Sequence, residues 1–236
     1  MKVVAIIQAR MDSVRLPGKV LLPLAEKPAL EHIVERLSYC RMVDQVVVAT
    51  TTEVNDDPVA ELCIKNNIKY FRGSPEDVLD RYYQSSKIFN ADPIVRITAD
   101  CPAIDPVVVD AVISGYLAGD YDLYGLSGEF PDGLDCTVFS FSAIKKAWKE
   151  AKLKSEREHV GPYIEKNSNI FNNGKLKLFY GLENQRWTMD EPEDYELLKV
   201  IFNELYRPDS PFLTYEVLEY IKENPKLGRL NQKIVR

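Results

Sequence analysis

Histidine is nearly absent: two occur in 236 residues, at His32 and His159. The four cysteines, Cys40, Cys63, Cys101 and Cys136, form no C-x-x-C pair. A zinc site of the usual spacing therefore has no ligands to draw on. No Ser-His-Asp or Cys-His arrangement stands out either, so a side-chain nucleophile is not expected. No apolar stretch approaches the roughly 20 residues of a membrane span. The apolar run near the N-terminus, Val3–Ile7, passes straight into polar sequence, so neither a signal peptide nor a membrane partner is expected. Reduced thiols in a cytoplasmic protein are the simplest expectation. There is no basic excess: 30 Lys and Arg against 36 Asp and Glu leave a net charge of −6, which excludes a general nucleic-acid coat. Internal repeats, low-complexity segments and a clear linker are also missing.

What is present is an ordinary globular composition, 45% hydrophobic and 28% charged. The length suits one large domain with a small appendage. Residues 1–205 are expected to form the main domain. Residues 206–236 are expected to be a C-terminal helical extension packed on it, with a terminal helix over Thr214–Lys222 and a basic tail.

The stretch Lys2–Lys19 organises the rest. Val3–Ile7 reads as a strand buried on both faces of a parallel sheet. The loop Gln8–Lys19 carries Arg10, Arg15, Gly18 and Lys19, with Pro17 fixing one backbone angle. Cations and backbone N–H groups after a first strand suit phosphates. A solvated surface turn would show the same residues. The loop is not a Walker A motif, since Val20 follows Gly18-Lys19, and it is not G-x-G-x-x-G.

Further along, Pro28–Cys40 reads as a helix with Pro28 near its first position, and Leu30, Ile33, Val34 and Leu37 as its buried stripe. Asp44–Thr50 is a second buried strand. Thr50–Thr52 at its end suit either a base or ribose, or the capping of the Asp56–Asn67 segment. Ile68–Phe71 is a third strand. Ser74 and Asp77 mark the start of a helix Glu76–Phe89. Pro93–Cys101 is a fourth strand ending on Asp100. An acid there suits a hard cation, which prefers carboxylate oxygen. Its rival role, capping the helix Pro106–Leu117, falls more naturally to Asp105. Strands are expected at Tyr121–Leu126, Cys136–Phe141 and Lys175–Tyr180. Ser142 is expected to cap a helix Ala143–Leu153. A helix Pro192–Leu205 is expected to bury Tyr195, Leu198, Val200 and Ile201. Asp190 precedes it, as a metal ligand or as its cap.

Three segments resemble one family. The opening I-Q-A-R-M-D-S-V-R-L-P-G-K, the run T-A-D-C-P around Asp100 and the closing T-M-D-E-P-E-D around Asp190 are similar to CMP-sugar cytidylyltransferases. These are the 3-deoxy-manno-octulosonate and acylneuraminate enzymes, and the nearest branch is the spore-coat polysaccharide biosynthesis protein F branch, which shares Ile7-Gln8-Ala9-Arg10. The resemblance spans most of residues 1–205. It implies an α/β, Rossmann-like nucleotide-diphospho-sugar transferase fold of the glycosyltransferase-A kind, a mixed, mostly parallel sheet flanked by helices. It implies Mg²⁺-dependent transfer of CMP from CTP to a sugar or sugar acid, releasing pyrophosphate, for surface or spore-coat polysaccharide, by a cytoplasmic homodimer. Asp100 and Asp190 become the Mg²⁺ ligands. Lys19, Arg10 and Asp100 become the catalytic set. Gln8, Ala9, Arg10, Arg15, Gly18 and Lys19 hold the nucleotide, with Arg72 and Ser74 near the base. Asp135, in the Phe130–Asp135 loop, faces the sugar, and Arg157 and His159 of E-R-E-H-V meet the acceptor. Turn chemistry competes for Asp135, and a solvated helix face competes for Arg157 and His159. Two other readings stand beside this one. A glycosyltransferase using a preformed nucleotide-sugar would want a D-x-D pair, which Asp120-Tyr121-Asp122 supplies in spacing only. A non-catalytic nucleotide-binding protein would need no intact site.

Overall fold

The computed structural model describes residues 1–232. In chain order it has β1 (Val4–Gln8), β2 (Pro23–Leu24), β3 (Lys27–Pro28), α1 (Ala29–Ser38), β4 (Gln45–Thr51), α2 (Asp57–Lys65), β5 (Lys69–Gly73), α3 (Val78–Phe89) and β6 (Ile94–Thr98). Then come α4 (Pro106–Leu117), β7 (Leu123–Ser127), β8 (Thr137–Phe139), α5 (Phe141–Glu150), α6 (Lys154–His159), α7 (Pro162–Lys166), β9 (Asn173–Lys177), α8 (Pro192–Leu205) and α9 (Thr214–Glu223). The main sheet has seven strands in the order β5-β4-β1-β6-β8-β7-β9. Only β8 runs against the others, pairing antiparallel with both β6 and β7. The sheet is thus mixed and mostly parallel, with helices on both faces.

Alternation along β1 divides the core. Ala5 and Ile7 point into a cluster with Leu30, Ile33 and Leu37 of α1, Val59 of α2 and Val112 of α4. Val4 and Ile6 point the other way, onto Leu79 and Tyr82 of α3 and Ile144 of α5. A strand buried on both sides must be apolar throughout, which is why Val3–Ile7 reads as an unbroken run. A third cluster joins Leu24 of β2, Trp187, Leu198 and Phe202 to Phe212, Val217 and Ile221. Phe212, Val217 and Ile221, beyond residue 205, therefore share a core with α8.

Several boundaries differ from the sequence reading. Pro28 pairs with Pro23 in a small ladder and caps α1 from outside. Asp77, not Ser74, caps α3: its carboxylate accepts the Asp80 N–H at 2.9 Å, while Ser74 Oγ accepts the Asp77 N–H at 3.2 Å. Ser140, not Ser142, caps α5, accepting the Ala143 N–H at 3.1 Å, because the chain enters the helix directly after β8. β6 ends at Thr98, since the Cys101 N–H turns back to the Thr98 carbonyl at 3.3 Å. Asp100 therefore stands in a turn, beyond the strand. In α8 the inward residue is Leu197 rather than Val200.

Candidate active site

β1 and β6 are adjacent and parallel, with Gln8 opposite Thr98 at their carboxyl ends. From β1 the chain crosses to β4 on one side, while β6 lies on the other. In an open α/β sheet such a switch point leaves a crevice. A cleft of about 490 Å³ opens there, within the usual range for a small-molecule site. Its walls carry five cations, Arg10, Arg15, Lys19, Arg81 and Arg96, and four acids, Asp12, Asp100, Glu158 and Asp190.

The loop after β1 is tied at both ends. The Met11 N–H donates to Asp56 at 2.6 Å, and the Thr51 hydroxyl donates to the same buried carboxylate. The Gly18 N–H closes back on the Met11 carbonyl at 3.0 Å. Gly18 has φ +67°, a left-handed conformation that glycine adopts without strain. The turn aims Lys19 into the cleft. Its Nζ lies 2.7 Å from Asp190 Oδ1 and 3.1 Å from Asp100 Oδ2. Burial alone would push the Lys19 ammonium down. Asp100 and Asp190 outweigh it and hold Lys19 above the ordinary lysine value. Burial would likewise raise Asp100, but Lys19, with help from Thr98 and Cys101, holds it below the usual carboxylate range.

The two aspartates come together through the backbone. The Asp100 carbonyl accepts the Met189 N–H at 2.8 Å and the Thr188 hydroxyl at 3.2 Å. The Trp187 N–H donates to the Asp132 carbonyl at 2.7 Å, which brings the loop around Gly133 against the same segment. A Cβ on Gly133 would stand 2.6 Å from the Trp187 carbonyl carbon, and φ there is +105°. Only glycine permits that approach.

Of the residues singled out from sequence, Gln8, Ala9, Arg10, Arg15, Lys19, Asp100, His159 and Asp190 line the cleft. Arg10 is exposed at the rim and makes no hydrogen bond or ion pair among the described residues. Arg15 bonds Glu191 at 2.8 Å and stands 3.4 Å from Asp190. His159 is held by a strained turn: Val160, buried and β-branched, has φ +68°, and the Gly161 N–H returns to the His159 carbonyl at 2.8 Å.

The remaining residues stand elsewhere. Gly18 shapes the loop without lining the cleft. Arg72 is taken up by the Thr51 and Glu53 carbonyls at 2.8 and 2.9 Å and by Asp57 at 2.7 Å, which ties β5 to the start of α2. Ser74 braces the α3 cap. Arg157 grips the α3 cap Asp77 at 2.6 Å and the Trp148 and Ala151 carbonyls at 3.0 Å each, so it joins α6 to α3 and α5. Asp135 accepts the Gly133 N–H at 3.2 Å outside the lining. Burial, with Asp132 and Asp100 nearby, pushes its carboxyl up. The Asp120-Tyr121-Asp122 pair is not in the cleft, and Asp122 is engaged by Ser140 at 3.1 Å and the Asn172 N–H at 3.0 Å.

Arg96 and Arg186 were given no role from sequence. Arg81 of α3 is 2% exposed and gives one nitrogen to the Ser74 and Pro75 carbonyls, leaving its Nε buried without a partner among the described residues. Burial, with Arg10 nearby, lowers its pKa. Arg96 projects from β6 with a buried Nε that also lacks a partner among the described residues. A charge inside the otherwise apolar run Pro93–Ile97 was the available signal. Gln8 Oε1 is the third buried polar atom at this cleft without a partner among the described residues. Arg186 was read only as part of a motif. It bonds Asp132 at 2.8 Å, Asp194 at 2.9 Å and Asp190 at 3.3 Å. A buried polar atom without a protein partner needs one from water, an ion or a ligand.

Comparison with known proteins gives one consistent result. A family model described as cytidylyltransferase matches residues 4–226. An uncharacterized protein of Methanocaldococcus jannaschii is 37% identical over 243 residues, covering 99% of this chain and 96% of its own. The spore coat polysaccharide biosynthesis protein SpsF of Bacillus subtilis is 32% identical over 228 residues, covering 93% of this chain and 94% of its own. The solved structure of a cytidylyltransferase from Leptospira borgpetersenii superposes with a TM-score of 0.92 at 36% identity, over the whole of both chains.

Proposed function

This chain belongs to the cytidylyltransferase family, and we propose that it transfers CMP from CTP to a sugar or sugar acid destined for a surface or spore-coat polysaccharide, using Mg²⁺ and releasing pyrophosphate. One observation carries the reading. Asp100 Oδ2 and Asp190 Oδ1 already share a single cation, the Lys19 ammonium, at 3.1 and 2.7 Å beside the loop bearing Arg10 and Arg15.

The donor set fits a hard divalent ion. Both oxygens belong to carboxylates, and a small ion that keeps most of its waters needs no more than one or two such ligands. When bound, Mg²⁺ would neutralise the triphosphate and polarise the reacting phosphate oxygens. The protein's own groups do the rest. Lys19 exchanges its carboxylate partners for phosphate oxygens, a move that suits a compact charge on a flexible stem. Arg10, without an ion pair among the described residues, takes the triphosphate at the rim. The Gln8 acceptor and the Arg81 donor, both unpartnered in the cleft wall, suit the polar edge of a cytosine. Glu158 and His159 also line the cleft, and the acceptor is assigned to them. An acceptor hydroxyl oxygen forms its bond to the α-phosphorus as the bond to the bridging oxygen breaks; its proton passes to solvent and pyrophosphate leaves. No protein nucleophile takes part. The residues hold the groups in line and stabilise the departing charge.

The test is pyrophosphate release from each of four NTPs with Mg²⁺ across a panel of sugar and sugar-acid acceptors. Release from CTP with one acceptor class is expected. Nucleoside diphosphate released from a nucleotide-sugar, or no pyrophosphate from any pair, would overturn the proposal.

A further inference from the structure

Asp190 is gripped from two sides. Its Oδ1 faces Lys19 at 2.7 Å and Arg15 at 3.4 Å, while its Oδ2 accepts from Arg186 at 3.3 Å. A carboxylate with its oxygens committed in opposite directions cannot rotate without breaking one set. The Arg186 guanidinium is itself fixed. Its Nε and one terminal nitrogen fork onto Asp194 at 2.9 Å each, and the other terminal nitrogen holds Asp132 at 2.8 Å. Asp194, fully buried, also accepts the N–H groups of Asp190 and Glu191 at 3.1 and 2.9 Å. Behind this assembly stands the C-terminal segment. Asn231, 4% exposed, donates one amide hydrogen to the Arg186 carbonyl and one to Asp194 Oδ1, each at 2.8 Å.

We infer that Arg186, braced by Asn231 of the C-terminal segment, is the positioning residue that orients Asp190 toward the metal and triphosphate. The inference rests on the proposed reading of Asp190 as a metal-facing carboxylate. Groups that hydrogen-bond a metal ligand fix its direction, and their loss typically costs about ten- to a hundredfold in metal affinity. A planar fork cannot be reproduced by a lysine ammonium. If Arg186 served only to neutralise buried Asp194, Lys would suffice. If it orients Asp190, Lys fails. Asn231, 26 residues past the end of α8 at Leu205 but packed behind the cleft, then belongs to the apparatus that sets the site.

The experiment compares two affinities in Asn231→Ala, Arg186→Lys and the unaltered enzyme. Mn²⁺ binding at saturating CTP is read from the free-ion EPR signal. CTP binding without metal is read by calorimetry in EDTA. The expected result is Mn²⁺ affinity weakened about tenfold in both variants, with metal-free CTP affinity within about twofold. Equal loss of both affinities, or loss of neither, overturns the inference. Should Arg186→Lys fail to fold, Asn231→Ala decides alone, since it removes only a neutral brace. Failure of the unaltered enzyme to bind Mn²⁺ with CTP would instead remove the functional reading on which the inference stands.

Discussion

Replacing Lys19 with Met keeps the stem and removes only the charge. Asp100 Oδ2 and Asp190 Oδ1 both lie within 3.1 Å of that nitrogen, so they are at most about 6 Å apart. At an effective dielectric of about 20, one unit pair at 3 Å is worth about 5 kcal/mol before desolvation. The carboxylates are 28% and 22% exposed, so water screens much of this, and the net loss of stability should be about 1–3 kcal/mol. Divalent cations should act in the opposite sense. With the ammonium gone, Mg²⁺ no longer competes for the two oxygens. A tenfold gain in affinity would add up to about 1.4 kcal/mol at saturating ion. Turnover should fall by about two decades or more, since a donor to the departing charge is lost. Melting temperature with and without Mg²⁺, together with pyrophosphate release, measures all three. The reasoning fails if the variant turns over within tenfold of the unaltered enzyme. It also fails if Mg²⁺ raises the variant's melting temperature no more than the unaltered enzyme's.

Three further outcomes follow from the structure. Burial pushes the Cys63 thiol up to about 11 and the Cys40 thiol up to about 12, and raises Cys101 and Cys136 as well. At pH 8 about one thiol in a thousand or fewer would be ionised, so an aromatic disulfide reagent should label all four only after unfolding; one fast thiol in the native protein would contradict this. His32 is 1% exposed, its Nε2–H pointing to the Leu24 carbonyl at 2.5 Å, and burial holds its pKa below the ordinary 6.5. The unfolded chain then takes up the proton first as pH falls, so stability should drop below pH 6.5 with a slope of at most about 1.4 kcal/mol per unit. Denaturant titrations at several pH values should show that slope flatten in His32→Gln. Gly133→Ala would set a Cβ 2.6 Å from the Trp187 backbone at φ +105°, and should cost about 3 kcal/mol or more together with activity. An unchanged melting temperature would refute that packing.

Two of the elements opened by an acid and a proline were legible to the residue. α4 and α8 occupy Pro106–Leu117 and Pro192–Leu205 as read, because the start signals are local. The first loop was legible for the same reason, since Arg10, Gly18 and Lys19 lie within one turn of chain. What the sequence could not show is where a long cation ends. Arg157 resembles an acceptor contact until the fold brings it to Asp77, 80 residues away. Arg72 is drawn to Asp57 and two carbonyls in the same way. Conversely, Arg186 and Asn231 carry no local mark, and they acquire a role only when the C-terminal segment folds behind Asp194. Asp100 and Asp190 are brought together by one backbone bond, Met189 N–H to the Asp100 carbonyl at 2.8 Å, which no pattern in either segment encodes.

The most direct trial of the central claim is anomalous diffraction from crystals holding Mn²⁺ and CTP. The account predicts a manganese peak contacted by both Asp100 and Asp190, with the Lys19 ammonium moved from those carboxylates onto the phosphates. A peak distant from either aspartate, or Lys19 still seated between them with CTP bound, would contradict it.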